Sequence, residues 1–152
     1  MPRRPNFYEH LRMPSAPTSA ARFTYTFHLG AISIALFAVL AVTGILEMFV
    51  YVPTPDGANQ SVKMIAYLAP YGWLVRNLHY WAGQAMVVTV TLHLARVALS
   101  GGYKGRRSNW LIGVALLLLV LLLDFTGFVL RWDDRGLWAL TVGTNLLRLI
   151  GR

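Results

Sequence analysis

Residues 72–103 read GWLVRNLHYWAGQAMVVTVTLHLARVALSGGY. Between Arg76 and Arg96 the run is free of charge, yet it holds two imidazoles, His79 and His93. Roughly 20 apolar residues cross a bilayer core of about 30 Å, so this stretch predicts a transmembrane helix. Polar groups placed inside such a helix are costly and mark function or a specific contact. The two histidines lie 14 residues apart, nearly four turns at about 3.6 residues each and about 21 Å of rise. Both rings therefore leave one face of the helix, one towards each membrane surface. They fit two readings: ligands for a buried group, or neutral histidines bonded to neighbouring helices.

Two further charge-free runs flank it, residues 29–46 and 108–123. The sequence thus predicts an all-α integral membrane protein with spans at 27–52, 73–99 and 109–130. The first ends at Pro53, followed by a turn-rich Thr54, Pro55, Asp56, Gly57; the second stops at Gly101 and Gly102, a helix C-terminal signal. Composition agrees. Of 152 residues 56% are hydrophobic and 13% charged, against about a quarter charged in soluble domains, which rules out a water-soluble globule. The chain has no cysteine, which excludes disulfides, thiolate metal sites, thiol catalysis and thioether-linked cofactors.

Residues 1–26 form a basic segment with Arg3, Arg4, Arg12 and Arg22 and no secretory-signal pattern. Residues 6–13 suit a short interfacial helix. Lys104, Arg106 and Arg107 crowd the loop after the second span, with Arg96 just above it, while the loop after the first holds Lys63 alone, with Arg76 beyond. Because Lys and Arg resist translocation, the N-terminus and the 100–108 loop are expected on the cytoplasmic side of a bacterial inner membrane. Residues 131–152 are then an amphipathic segment at the outer face. The formal net charge of +8 reports this topology and anionic lipid rather than nucleic acid.

Glycines repeat the histidine spacing. Gly30 and Gly44 are 14 apart on the first span, and Gly113 and Gly127 are 14 apart on the third. Threading the spans up, down and up yields two layers: His93 with Gly30 and Gly113, and His79 with Gly44 and Gly127. Missing side chains opposite an imidazole leave room for a flat, bulky group, and neutral imidazole is a usual axial ligand of haem iron. The other reading is small-residue packing between membrane helices.

On these residues the chain resembles the N-terminal part of cytochrome b from bc-type and chloroplast-type quinol complexes. Residues 72–103 resemble its second transmembrane helix, with Arg76 three before His79 and Arg96 three after His93. GFVLRW at 127–132 resembles the segment after its third helix, TVGTNLL at 141–147 continues it, and the Leu29–Gly30 and Thr43–Gly44 pairs fit its first. The resemblance spans about residues 26–150. It implies a four-helix bundle carrying two b-type haems, with His79 and His93 as metal ligands and Arg76 and Arg96 paired with haem propionates. Gly30, Gly44, Gly113 and Gly127 would make room for the macrocycles. In that family the opposite histidines come from a fourth helix, which the sequence lacks, so a separate membrane subunit is expected to supply it. His28 stands where chloroplast-type relatives carry a cysteine for an extra haem, which is therefore not expected. Arg131 replaces a family proline; Asp124 and Glu47 lie in the same outer half of the membrane, where they either carry protons or, as favoured here, pair with Arg131, Arg76 or a partner chain.

The resemblance implies an electron-transfer subunit of a quinol-oxidising respiratory or photosynthetic complex, not an autonomous enzyme. Quinone and quinol are expected as substrates of the complex. A Rieske protein or a cytochrome c is expected as partner, and the complexes as dimers. Alternatives are a haem b anchor passing quinol electrons to another oxidoreductase, and a haem-free structural membrane subunit.

Overall fold

The charge-free runs become long helices. A computed structural model describes residues 27–104 and 107–151. In chain order its helices are α1 (Leu29–Met48), α2 (Pro55–Tyr67), α3 (Gly72–Leu99), α4 (Arg107–Val129) and α5 (Asp134–Ile150), and the described residues contain no strand. The arginines of residues 1–26, the interfacial turns expected at 6–13, His10 and Arg106 lie outside the described residues.

Helices α1, α3 and α4 are long and apolar enough to cross a membrane, at about 1.5 Å of rise per residue. The bundle is built around α3. Helix α1 packs along it most extensively, α4 and α2 also rest on it, and α5 leans on α4. Small side chains permit this closeness, as expected where lipid gives no hydrophobic drive between helices. Ala82, Met86 and Thr89 recur on one face of α3 and are buried, and on α1 Thr43 is buried. A Cβ added at Gly83 would come to 3.9 Å from Leu40 on α1 and 3.7 Å from Asp124 on α4, so both neighbours approach α3 there. Most apolar side chains point away from this small core. No residue of α4 is buried, and Leu111, Leu118 and Leu122 are each more than half exposed. Such a surface suits lipid or further helices and is unsuited to water.

Three local features set the ends. Helix α1 stops at Met48, short of the 52 expected from hydropathy, because the chain turns at Phe49 through Glu47 carbonyl bonds. Of residues 53–57, read above as a loop, Pro55–Gly57 instead form the first turn of α2 and Thr54 caps it. The Thr54 hydroxyl accepts from the Gly57 N–H at 3.1 Å, Pro55 takes the first turn and Asp56 follows. These are helix-start signals as much as turn signals, since proline lacks an N–H that a first turn leaves unused anyway. At the far end of α3, Gly101 adopts φ 66° after Leu99, the left-handed exit the sequence signalled.

Helix α5 gives residues 134–150 of the expected amphipathic segment a helical form. Asp133 caps it, its carboxylate accepting from the Gly136 N–H at 2.8 Å. Leu137, Trp138, Val142 and Leu146 remain exposed along it.

Candidate functional site

Polar groups inside the spans collect at two depths on α3. At the first, His79 is half-buried and faces α1. Gly44 leaves the space its ring uses: a Cβ there would stand 3.1 Å from His79 Cε1, tighter than side chains ordinarily tolerate. One residue earlier, the buried Thr43 hydroxyl lies 2.8 Å from His79 Nδ1 and donates to the Val39 carbonyl at 2.7 Å. Glu47 stands one turn on, within electrostatic reach of His79 and Arg76, with Oε1 buried and lacking a hydrogen-bond partner.

At the second depth, His93 faces Gly30, whose added Cβ would stand 3.5 Å from His93 Cε1, an ordinary contact. A cleft of about 340 Å³ opens here, bordered by His28, Gly30, His93, Arg96 and Ser100. His28 thus approaches this depth alone. Among the described residues His93 forms no hydrogen bond.

The two expected layers are therefore joined on the α1 side, His79 with Gly44 and His93 with Gly30. The α4 side differs. Gly113 meets Leu94, at 3.2 Å from an added Cβ, rather than His93 itself, and Gly127 has nothing within 4 Å. Arg76 and Arg96 stand one turn towards the ends of α3 from His79 and His93.

Of the expected pairings, those of Arg131 with Glu47 or Asp124 do not form among the described residues, while Glu47 lies within electrostatic reach of Arg76. Arg131 reaches Asp133 at 3.6 Å and lies over the Phe128 ring at 4.3 Å, because the chain turns at Trp132, φ 47°, and brings Asp133 back beside it. Asp124 accepts instead from Gln84 Nε2 on α3 at 3.2 Å. The rim beyond His79 is tied across elements. Tyr51 donates its hydroxyl to the Leu130 carbonyl at 2.7 Å, and Asn59 donates to the carbonyls of Arg131 and Trp132, each at 3.4 Å. Burial pushes the Tyr51 phenol above its usual pKa. Thr43 was missed as a neighbour of His79, and the contacts of Gln84 and Asn59 across elements were missed as well. Their signal was available for Thr43 and Gln84, polar side chains within apolar spans.

A family model described as Cytochrome b/b6/petB matches residues 14–151. The chain belongs to the cytochrome b family. Among relatives, it is 37% identical over 139 residues to a cytochrome b6 of Heliomicrobium gestii, covering 89% of this chain and 65% of that protein. It is 38% identical over 127 residues to a cytochrome b6 of Heliobacterium modesticaldum, 81% of this chain and 60% of that one. A cytochrome b6 of Heliobacterium mobile is 40% identical over 118 residues, 77% of this chain and 55% of it. The chain thus spans about three-fifths of the length of these curated relatives.

Cytochrome b membership implies haem b, and the donor set fits it. Each depth offers one imidazole beside a glycine notch. No group of three or more His, Cys, Asp or Glu converges among the described residues. A lone imidazole suits a metal whose in-plane ligands arrive with a macrocycle, whereas a bare ion needs several protein donors.

Proposed function

We propose that this cytochrome b chain would supply one histidine ligand to each of two b haems, for electron relay across the membrane in a quinol-oxidising bc-type complex. The observation that carries the proposal is the pairing of His79 with Gly44 and His93 with Gly30 at one 14-residue repeat on two packed helices.

When bound, haem supplies reversible one-electron chemistry; the remainder falls to the chain. His79 and His93 present neutral ring nitrogens from one face of α3, at depths separated by about 21 Å of helix rise. Gly44 and Gly30 keep the α1 backbone low beside them. Arg76 and Arg96 offer planar forks of donors matched to carboxylates, placed to receive propionates at the ends of α3. The opposite ligands are assigned to a further helix outside residues 27–151, on this or another polypeptide. Held by imidazoles alone, such a group would serve electron relay.

The orientation follows from charge, with the N-terminus and the 100–108 loop cytoplasmic in a bacterial inner membrane. A Rieske protein or a cytochrome c is the proposed partner, quinol and quinone the substrates. Pyridine haemochrome analysis of the purified, assembled complex tests the reading. It predicts two b haems per copy of this chain; none in a folded complex contradicts it.

A further inference from the structure

The two histidine depths differ by one hydroxyl. Thr43 is 4% exposed, and its side chain sits between two polar atoms: the Val39 carbonyl oxygen at 2.7 Å and His79 Nδ1 at 2.8 Å. A hydroxyl has one hydrogen to donate. A carbonyl oxygen can only accept, so the Val39 contact consumes that hydrogen, a back-bond common for threonine in helices. The Leu40 carbonyl, at 3.3 Å, competes for the same hydrogen and cannot act as a donor either. What remains to Thr43 is a lone pair, and the only favourable partner for it at Nδ1 is an N–H. Neutral imidazole carries one ring hydrogen. Placed on Nδ1, it leaves Nε2 with a free lone pair.

We infer that Thr43 is a positioning residue that fixes His79 in its Nδ1-protonated tautomer and presents Nε2 to a metal. This rests on the haem reading above and deepens it. Ring orientation and tautomer are set together, because the missing side chain at Gly44 gives the ring its space, an added Cβ there standing 3.1 Å from Cε1, while Thr43 holds Nδ1. An acceptor at the second nitrogen also makes the ligand more basic, as with other outer partners of metal-bound histidines, and a more basic ligand favours ferric iron. The other depth lacks the device. Fourteen residues before Thr43 the chain has Leu29, which offers no side-chain acceptor, and His93 makes no hydrogen bond among the described residues.

The test uses the assembled complex carrying Thr43→Val, with Thr43→Ser as the variant that keeps the hydroxyl. Spectroscopic redox titration is expected to show the midpoint potential of the haem at His79 rising in Thr43→Val, with that at His93 unmoved. Transfer of the first haem to apomyoglobin is expected to reveal a roughly ten- to hundred-fold loss of affinity. Thr43→Ser is expected to restore both. Thr43→Ala serves as the hydroxyl-free variant should Thr43→Val not assemble. Two haems with unchanged potentials and retention in the hydroxyl-free variant would overturn the positioning role and leave the haem reading standing. A wild-type complex without haem would overturn both.

Discussion

The depth of His79 and the depth of His93 share a helix, a face and a facing glycine, and still differ. His79 is half-buried, held at 2.8 Å by Thr43 and pressed against the Gly44 notch, where an added Cβ would stand at 3.1 Å. Around it Gln84 binds Asp124, and beyond it Tyr51 and Asn59 bind the backbone at Leu130, Arg131 and Trp132. His93 is exposed on a cleft of about 340 Å³, with Gly30 at an easier 3.5 Å. A repeat in sequence therefore fixes where two imidazoles stand and leaves their surroundings to differ. One ring is held by a hydrogen bond within the protein; the other has none among the described residues.

The contrast is broken most forcibly at the glycines. Gly44→Ala puts a methyl where His79 Cε1 already lies at 3.1 Å, so the ring must move and the Thr43 bond must break. Overpacking of this kind costs about 1–3 kcal/mol, visible as a lower melting temperature of the purified complex and loss of the haem at His79. Gly30→Ala meets His93 at 3.5 Å, ordinary contact distance, and is expected to cost less than about 1 kcal/mol and to weaken haem retention at His93 less than Gly44→Ala weakens it at His79. Equal losses from the two variants would erase the distinction.

A smaller effect is expected at the rim. Tyr51→Phe removes the hydroxyl that donates to the Leu130 carbonyl at 2.7 Å, worth about 0.5–1.5 kcal/mol for a single hydrogen bond. Thermal melts are expected to fall slightly, with both haems and their potentials retained. A larger response at His93 than at His79 would show that the rim does not belong to the His79 depth.

Much of this was legible in the chain. Charge-free runs marked α1, α3 and α4, because spanning lipid demands uninterrupted apolar residues, and the 14-residue repeat named His79, His93, Gly30 and Gly44 without coordinates. Helix α2 was hidden because Thr54, Pro55, Asp56 and Gly57 serve equally as a turn and as a capped helix start, and only the following residues' packing on α3 decides. The partner of Arg131 was hidden for a related reason. Depth along the span was readable, but the turn at Trp132 that returns Asp133 to Arg131 depends on a left-handed backbone at a non-glycine residue, which sequence seldom signals. Gly113 and Gly127 matched in depth, yet the rotation of α4 about its own axis, which turns Gly113 onto Leu94, is set by packing and has no mark in the spacing.

The central claim is that α3 alone provides a ligand at each of two separate haems. Reduced-minus-oxidised spectra of assembled complexes carrying His79→Ala or His93→Ala test it most directly. Each substitution is predicted to remove one b-haem signal and spare the other, the two losses being different bands with different potentials. Two unchanged signals in either variant, or loss of the same single band in both, would contradict it.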